Sequence, residues 1–191
     1  KDENFIFLSV GRFTQKKAPL LLLQSFEKCA DLNPNVRLNF VGDGQLREEV
    51  YSYVRSSRHQ KKISLLGLRS QDELKLLFSS CNAYVQHSIV AQNGDCEGWP
   101  VILGEAMCHG RAIIATAHSG INDIIEHNET GYMVNEKDID QMSKYMLELS
   151  ENDLKAEAMG KAGRTRIQKV GDVEQQASKL LKHLKYKVKN V

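Results

Sequence analysis

"FIFLSVGRFTQKKAPLLLLQSFEKCADLNPNVRLNFVG", residues 5–42, contains the pattern that decides the fold. FIFLSV (5–10) and VRLNFVG (36–42) are short runs rich in β-branched and aromatic residues. Between them, APLLLLQSFEKCADL (18–32) carries apolar residues at helical period. A strand, a helix and a second strand in succession form a βαβ unit, in which the strands run parallel and the helix covers one face. The alternation continues through QLREEVYSYVRSS (45–57), KISLLG (62–67), QDELKLLFSSC (71–81), AYVQHS (83–88), PVILGEAMCHG (100–110), AIIAT (112–116), INDIIEH (121–127) and GYMV (131–134). The expected fold is α/β: a doubly wound, Rossmann-like parallel sheet with helices on both faces.

Helix starts have local chemistry. Ser70 followed by Glu73 reads as a capping box ahead of the apolar stripe Leu74, Leu77, Phe78 and Cys81. Asp138 with Gln141 repeats the device before Ile139, Met142, Met146 and Leu149. From about residue 152 the strands stop, and a helical tail runs to 191 with Lys179, Lys182, Lys185, Lys187 and Lys189. That tail reads either as a solvated helix or as one that docks on a partner domain or an anionic membrane surface.

Composition bounds the function. Twenty-six basic residues against 24 acidic give a net charge of +2, no electrostatic case for nucleic-acid binding, and a requirement that any anion site be local. Cys29, Cys81, Cys96 and Cys108 show no paired spacing and read as reduced thiols of a cytoplasmic protein. No apolar run approaches the roughly 18 residues of a membrane span, and KDENFIFLSV lacks the layout of a signal peptide. The chain begins directly on a strand, which suggests a domain of a longer protein.

In open parallel sheets, ligands bind beyond the carboxyl ends of the strands. After the first strand, GRFTQKKAP places Gly11, Arg12, Lys16 and Lys17 before a helix start. Free amides and the helix dipole there favour an anion, although a solvated cationic loop fits the same residues. GDGQL, after the second strand, has Arg47 where a dinucleotide fingerprint needs its third glycine, and gives no support for a nicotinamide site. In DCEGWPVILGEAMCHGRAIIAT (95–116), Pro100 suits the first turn of a helix. Glu97 then stands on the loop lip and Glu105 about 7 to 8 Å along the axis. A ligand against this helix start, with phosphates on the amides and hydroxyls on each carboxylate, is a nucleotide sugar. The plainer alternative is a helix-start charge and an ordinary paired acid.

These residues resemble the retaining glycosyltransferases of family four, which have the two-domain GT-B architecture. EGWPVILGEAMCHGRAIIAT is similar to that family's motif of two glutamates separated by seven residues. SVGRFTQKKAPLLLLQSF resembles its phosphate loop, FVGDGQLREEV its second strand and turn, LLGLRSQDELKLLFSSC its base-side loop, and HNETGYMV the segment after the donor site. SIVAQNGDCEGWP and HSGINDII look most like enzymes of bacterial exopolysaccharide and colanic-acid-type pathways.

The resemblance implies that residues 1–191 are the C-terminal nucleotide-sugar-binding domain of such an enzyme, with a core over about 5–150 and the helical tail from 152, and with the N-terminal acceptor domain absent. It implies that Arg12 and Lys17, beside Gly11, hold the donor diphosphate. Glu105 is implied to bind the ribose, and Glu97 to reach the transferred sugar. Gly98 and the backbone amides of Trp99 and Val101 are implied to approach the distal phosphate or sugar, and Leu68 and Arg69 to flank the base. It further implies a UDP-sugar or GDP-sugar donor, retention at the anomeric carbon and no obligatory metal. The acceptor is a saccharide or lipid-linked molecule bound through the other domain, at the inner face of the membrane if the enzyme is peripheral. A catalytically inactive nucleotide-binding or partner-binding module of the same fold is the alternative. Ala18 in place of a common glycine, Asn122 and Asp123 in place of Pro and Glu, and a long loop from Ser88 to Glu97 depart from the usual pattern.

Overall fold

The computed structural model describes residues 4–98 and 100–170, the side chain of residue 119 excepted. Six strands, β1 (Phe5–Val10), β2 (Val36–Val41), β3 (Ile63–Gly67), β4 (Ala83–Gln86), β5 (Ala112–Thr116) and β6 (Gly131–Val134), form one sheet. Among the described residues seven helices lie between and after them: α1 (Pro19–Leu32), α2 (Arg47–Ser56), α3 (Gln71–Ser80), α4 (Val101–Cys108), α5 (Ser119–Ile124), α6 (Ile139–Glu151) and α7 (Asp153–Val170). The strand order is β3-β2-β1-β4-β5-β6 and every pair is parallel. The expected doubly wound sheet is therefore present. The winding runs outward from β1 to β3, then returns to place β4 against β1, with Phe7 beside Ala83 and Leu8 beside Tyr84.

Successive side chains of a strand point to opposite faces, so β1 feeds two cores. Phe7 packs with Leu22, Leu23 and Phe26 of α1 and Met142 and Met146 of α6, whereas Leu8 packs with Phe78 of α3, Leu103 and Met107 of α4, and Ile121 of α5. Each such side chain contributes on the order of 1.5–3 kcal/mol on leaving water. With helices on both faces, β4 and β5 are buried along their whole length.

The box at Ser70 forms as read from sequence, whereas at Asp138 only its first half forms and the Asp138 amide donates to the Asn135 carbonyl instead. The Ser70 hydroxyl accepts from the Glu73 amide while Glu73 accepts from the Ser70 amide, and the Asp138 carboxylate accepts from the Gln141 amide at 2.9 Å. Pro100 differs slightly from expectation. It is the extended residue ahead of α4 rather than part of its first turn, and its carbonyl accepts from the Leu103 amide at 3.0 Å. A proline is tolerated there because no N–H is required of it.

The helix that follows residue 152 is no solvated tail over its described length. α7 buries Ala156, Met159, Gly160, Gly163 and Ile167. A β-carbon on Gly160 would fall 2.0 Å from the Gly110 carbonyl, so α7 needs glycine there to lie this close. The packed domain thus extends to Val170, beyond the boundary near 150 expected from the end of the strands. The lysine-rich stretch from Lys179 to Lys189 lies outside the described residues. Among the described residues no helix is long and apolar enough to cross a membrane. The four cysteines are free, and burial pushes the Cys29 and Cys81 thiols up to about 12.

Candidate functional site

The strand order reverses between β1 and β4, so the loops leaving their carboxyl ends diverge and leave a crevice. The loop after β1 is held down by Phe13, which is 1% exposed and meets Phe40 edge-on at 4.9 Å. The Phe13 amide donates to the Asp43 carbonyl at 2.8 Å and its carbonyl accepts from the Leu46 amide at 2.9 Å. The two glycines of GDGQL find their explanation here. β-Carbons on Gly42 and Gly44 would fall 1.9 Å from the Gly11 carbonyl and 2.7 Å from the Phe13 carbonyl, so they serve close packing of two loops. A single 3-10 turn, Gln15–Lys17, follows and ends at Ala18 in the left-handed region (φ 38°). That geometry accounts for glycine being the usual residue at this position in the family resembled above. Arg12 is exposed, Lys17 is mostly buried, and both line a small pocket with Gly11 and Gln86.

The loop after β4 crosses this turn. The Ile89 amide donates to the Lys16 carbonyl at 2.9 Å, the Gln92 amide to the Gln15 side chain at 3.0 Å, and Lys16 pairs with Asp95 at 3.0 Å. The loop then delivers Glu97, 8% exposed, into an ion pair with Lys17. The acid expected at the sugar and the cation expected at the diphosphate are thus in contact. Gly98 is exposed with open space around it, Val101 is 68% exposed at the start of α4, and Trp99 lies outside the described residues. The first amides of a helix lack intrahelical acceptors, and Glu97 and Gly98 stand just ahead of the α4 start.

Glu105 lies on α4, about 6 Å along the axis from Val101. With Val101 it lines one wall of a groove of about 480 Å³, whose other wall is Gln71, Leu74 and Phe78 of α3. Leu68, 75% exposed, and Arg69, which pairs with Glu73 at 3.0 Å, stand on the loop just before α3. The site residues inferred from sequence therefore stand in two groups: Gly11, Arg12, Lys17 and Glu97 at the small pocket of the β1–β4 crevice, and Val101 and Glu105 at the α3–α4 groove, with Leu68 and Arg69 on the loop before α3.

Sequence reasoning missed the polar floor of that crevice. The buried Tyr84 hydroxyl lies 3.0 Å from the Val10 carbonyl and 3.1 Å from the Gln86 side-chain oxygen; Gln86 donates to Ser88 at 3.0 Å, and the Ser88 amide donates to Thr116 at 2.8 Å. Burial, and in lesser part the carboxylates of Glu97 and Glu105, push the Tyr84 phenol up. The His87 ring accepts from the Lys137 amide at 3.0 Å, and burial pushes its imidazole down to about 4. Beside it, Glu136 accepts from the Val90 amide at 3.1 Å and lies 3.1 Å from the His118 ring. The available signal was the run Gln86, His87 and Ser88 at the end of a central strand, because buried polar groups need partners. Gln71 and Leu74 were also missed as groove residues, since nothing in the pattern of α3 shows that it faces α4.

Comparison with known proteins bears on the family and the fold. The profile of the family described as "Glycosyl transferases group 1" matches residues 1–166. The amylovoran biosynthesis glycosyltransferase AmsK of Erwinia amylovora is 27% identical over 161 residues, 84% of this chain and 40% of that protein. A putative colanic acid biosynthesis glycosyltransferase, WcaL of Salmonella typhimurium, is 27% identical over 146 residues, 76% of this chain and 36% of that protein. The chain thus spans about two fifths of the length of these curated relatives. Among solved structures, a TarM variant of S. aureus in complex with fondaparinux, α-GlcNAc-glycerol and UDP superposes with a TM-score of 0.84 at 22% identity, over 95% of this chain and 35% of that one. The C-terminal domain of a glycosyl transferase group 1 protein, LpcC of Francisella tularensis, gives 0.79 at 18% identity, over 90% and 88%. The sheet is the Rossmann-like half of a GT-B fold, and the chain belongs to the glycosyl transferases group 1 family.

Proposed function

We propose that this chain binds the nucleotide-sugar donor of a retaining glycosyltransferase. The observation that carries the reading is the ion pair that joins Lys17, in the pocket it shares with Arg12, to Glu97 just ahead of α4, the helix that bears Glu105. In this reading the diphosphate lies between the two cations and the backbone amides of Gly98 and Val101. The ribose hydroxyls donate to Glu105, and the base enters the α3–α4 groove beside Leu68, Arg69 and Gln71. The sugar lies toward Glu97.

The chemistry suits this placement. As the glycosyl group departs, negative charge grows on the diphosphate. Fixed cations and helix amides aimed there stabilise the transition state more than the ground state. The acceptor, a saccharide or lipid-linked molecule, is contributed through the enzyme's other domain. The relatives' roles in amylovoran and colanic acid biosynthesis support an exopolysaccharide product. The UDP bound to the TarM variant makes UDP the first nucleotide to test, with GDP beside it.

Thermal shift and titration calorimetry with UDP, GDP and their glucose and galactose esters test the reading, since a ligand of the folded state raises apparent stability by mass action. Stabilisation by one diphosphate series, lost in Glu105→Ala, is expected. No binding by any member, or undiminished binding by Glu105→Ala, would remove the proposal.

A further inference from the structure

The ion pair between Lys17 and Glu97 joins two groups that the donor-site reading assigns to different parts of one ligand. We propose that Glu97 competes with the diphosphate for Lys17, so that the site disfavours a nucleotide that has lost its sugar. This inference rests on that reading and adds to it a discrimination between donor and spent nucleotide.

Three observations carry it. First, the pair is shielded from water, with the Lys17 side chain 16% exposed and that of Glu97 10% exposed. A pair of this kind is costly to open, because each partner leaves a charge that water reaches poorly. Second, the Lys17 stem runs past Gly11, 3.7 Å from where a β-carbon would stand, and lines the pocket shared with Arg12. The same side chain thus reaches the carboxylate with its ammonium and borders that pocket along its stem. Third, the loop bearing Glu97 is fastened independently of the pair. Lys16 with Asp95, the Ile89 amide on the Lys16 carbonyl, and the Gln92 amide on Gln15 hold it to the 3-10 turn. When Lys17 turns to a phosphate, Glu97 therefore stays where it is.

The consequence depends on the ligand. An intact donor brings sugar hydroxyls, which donate to the carboxylate that Lys17 has left. A nucleoside diphosphate brings none, so Glu97 stays buried without a donor and next to a phosphate of like charge. Re-formation of the Lys17–Glu97 pair then favours departure of the spent nucleotide.

The test is titration calorimetry of this chain with UDP, GDP and inorganic pyrophosphate, on wild type, Glu97→Gln, Lys17→Met and the double variant. Glu97→Asn replaces Glu97→Gln should the latter not fold. Removing the competing carboxylate should tighten whichever probes bind by about tenfold. In the Lys17→Met background the same change should gain about threefold or less, since only like-charge repulsion remains. Equal or weaker binding by Glu97→Gln, or a full gain without Lys17, would overturn the exchange and leave the donor site standing. Failure of all three probes to bind wild type and variants would overturn both.

Discussion

Gly42 lies against Gly11: a β-carbon on Gly42 would stand 1.9 Å from the Gly11 carbonyl oxygen, which is backbone and has no rotamer by which to retreat. At this point the turn after β2 and the loop after β1 thus meet main chain to main chain. Gly42→Ala is expected to destabilise the domain by about 2–3 kcal/mol, the upper part of the overpacking range, and to displace Arg12. Urea denaturation measures the first effect, and an unchanged midpoint would contradict the contact.

Arg12→Ala and Lys17→Ala should each weaken UDP more than UMP, by about tenfold or more, because a charge-assisted contact to the distal phosphate is lost. Calorimetry on both nucleotides decides it. Equal losses for the two ligands would return this segment to a solvated cationic loop.

Glu105→Ala should cost nucleoside diphosphate binding about 1–3 kcal/mol through loss of charged acceptors for two hydroxyls. The 2'-deoxy nucleotide should lose less than the ribonucleotide does. A like loss for both would place the ribose elsewhere in the groove.

The His87 ring accepts from the Lys137 amide and is held neutral, its imidazole pushed by burial from 6.5 down to about 4. Its folded value lies below its unfolded one, so its contribution is complete above about pH 6.5 and is lost as pH falls toward 4. The loss is on the order of 2–3 kcal/mol. His87→Gln keeps an acceptor for Lys137 and should flatten this part of the pH–stability curve. Parallel curves for the two proteins would show that another group controls it.

Lys137 itself is exposed in the left-handed region at φ 64°. Lys137→Gly should raise stability by about 0.5–1 kcal/mol by removing the β-carbon clash of that region. A lower melting temperature in the variant would mean that the Lys137 side chain is held by contacts worth more than the strain.

The fold was legible because its signals are local. The alternation of periods, the capping box at Ser70 and the Asp138 cap all lie within a few residues of what they specify, and each is realised in the structure. The motifs were legible too: Gly11, Arg12, Lys17, Glu97 and Glu105 stand where loops open or enter helices, and the structure brings Lys17 and Glu97 into contact. What stayed hidden depends on strand order, which periodicity does not encode. The Lys17–Glu97 pair, the α3–α4 groove and the Gly42–Gly11 approach each join loops or helices from different strands. The helix after residue 152 was misjudged for a related reason. Its buried face is built largely of Ala and Gly, which carry little hydrophobic signal but permit close approach to Gly110 and Thr130.

The placement of β4 beside β1 also sets a timetable for the nascent chain. Lys17 emerges 80 positions before Glu97. At ordinary synthesis rates the wait is about 4–16 s, long compared with the closing of a hairpin or a helix. Late in that interval, once β3 has emerged and until β4 follows it, β1, β2 and β3 are available to pair while the edge of β1 that will take β4 is open. The first half of the sheet is therefore exposed to edge-to-edge association until the second half arrives. Ribosomes stalled between β3 and β4 should carry the species most dependent on chaperones, and release past β4 should end that dependence.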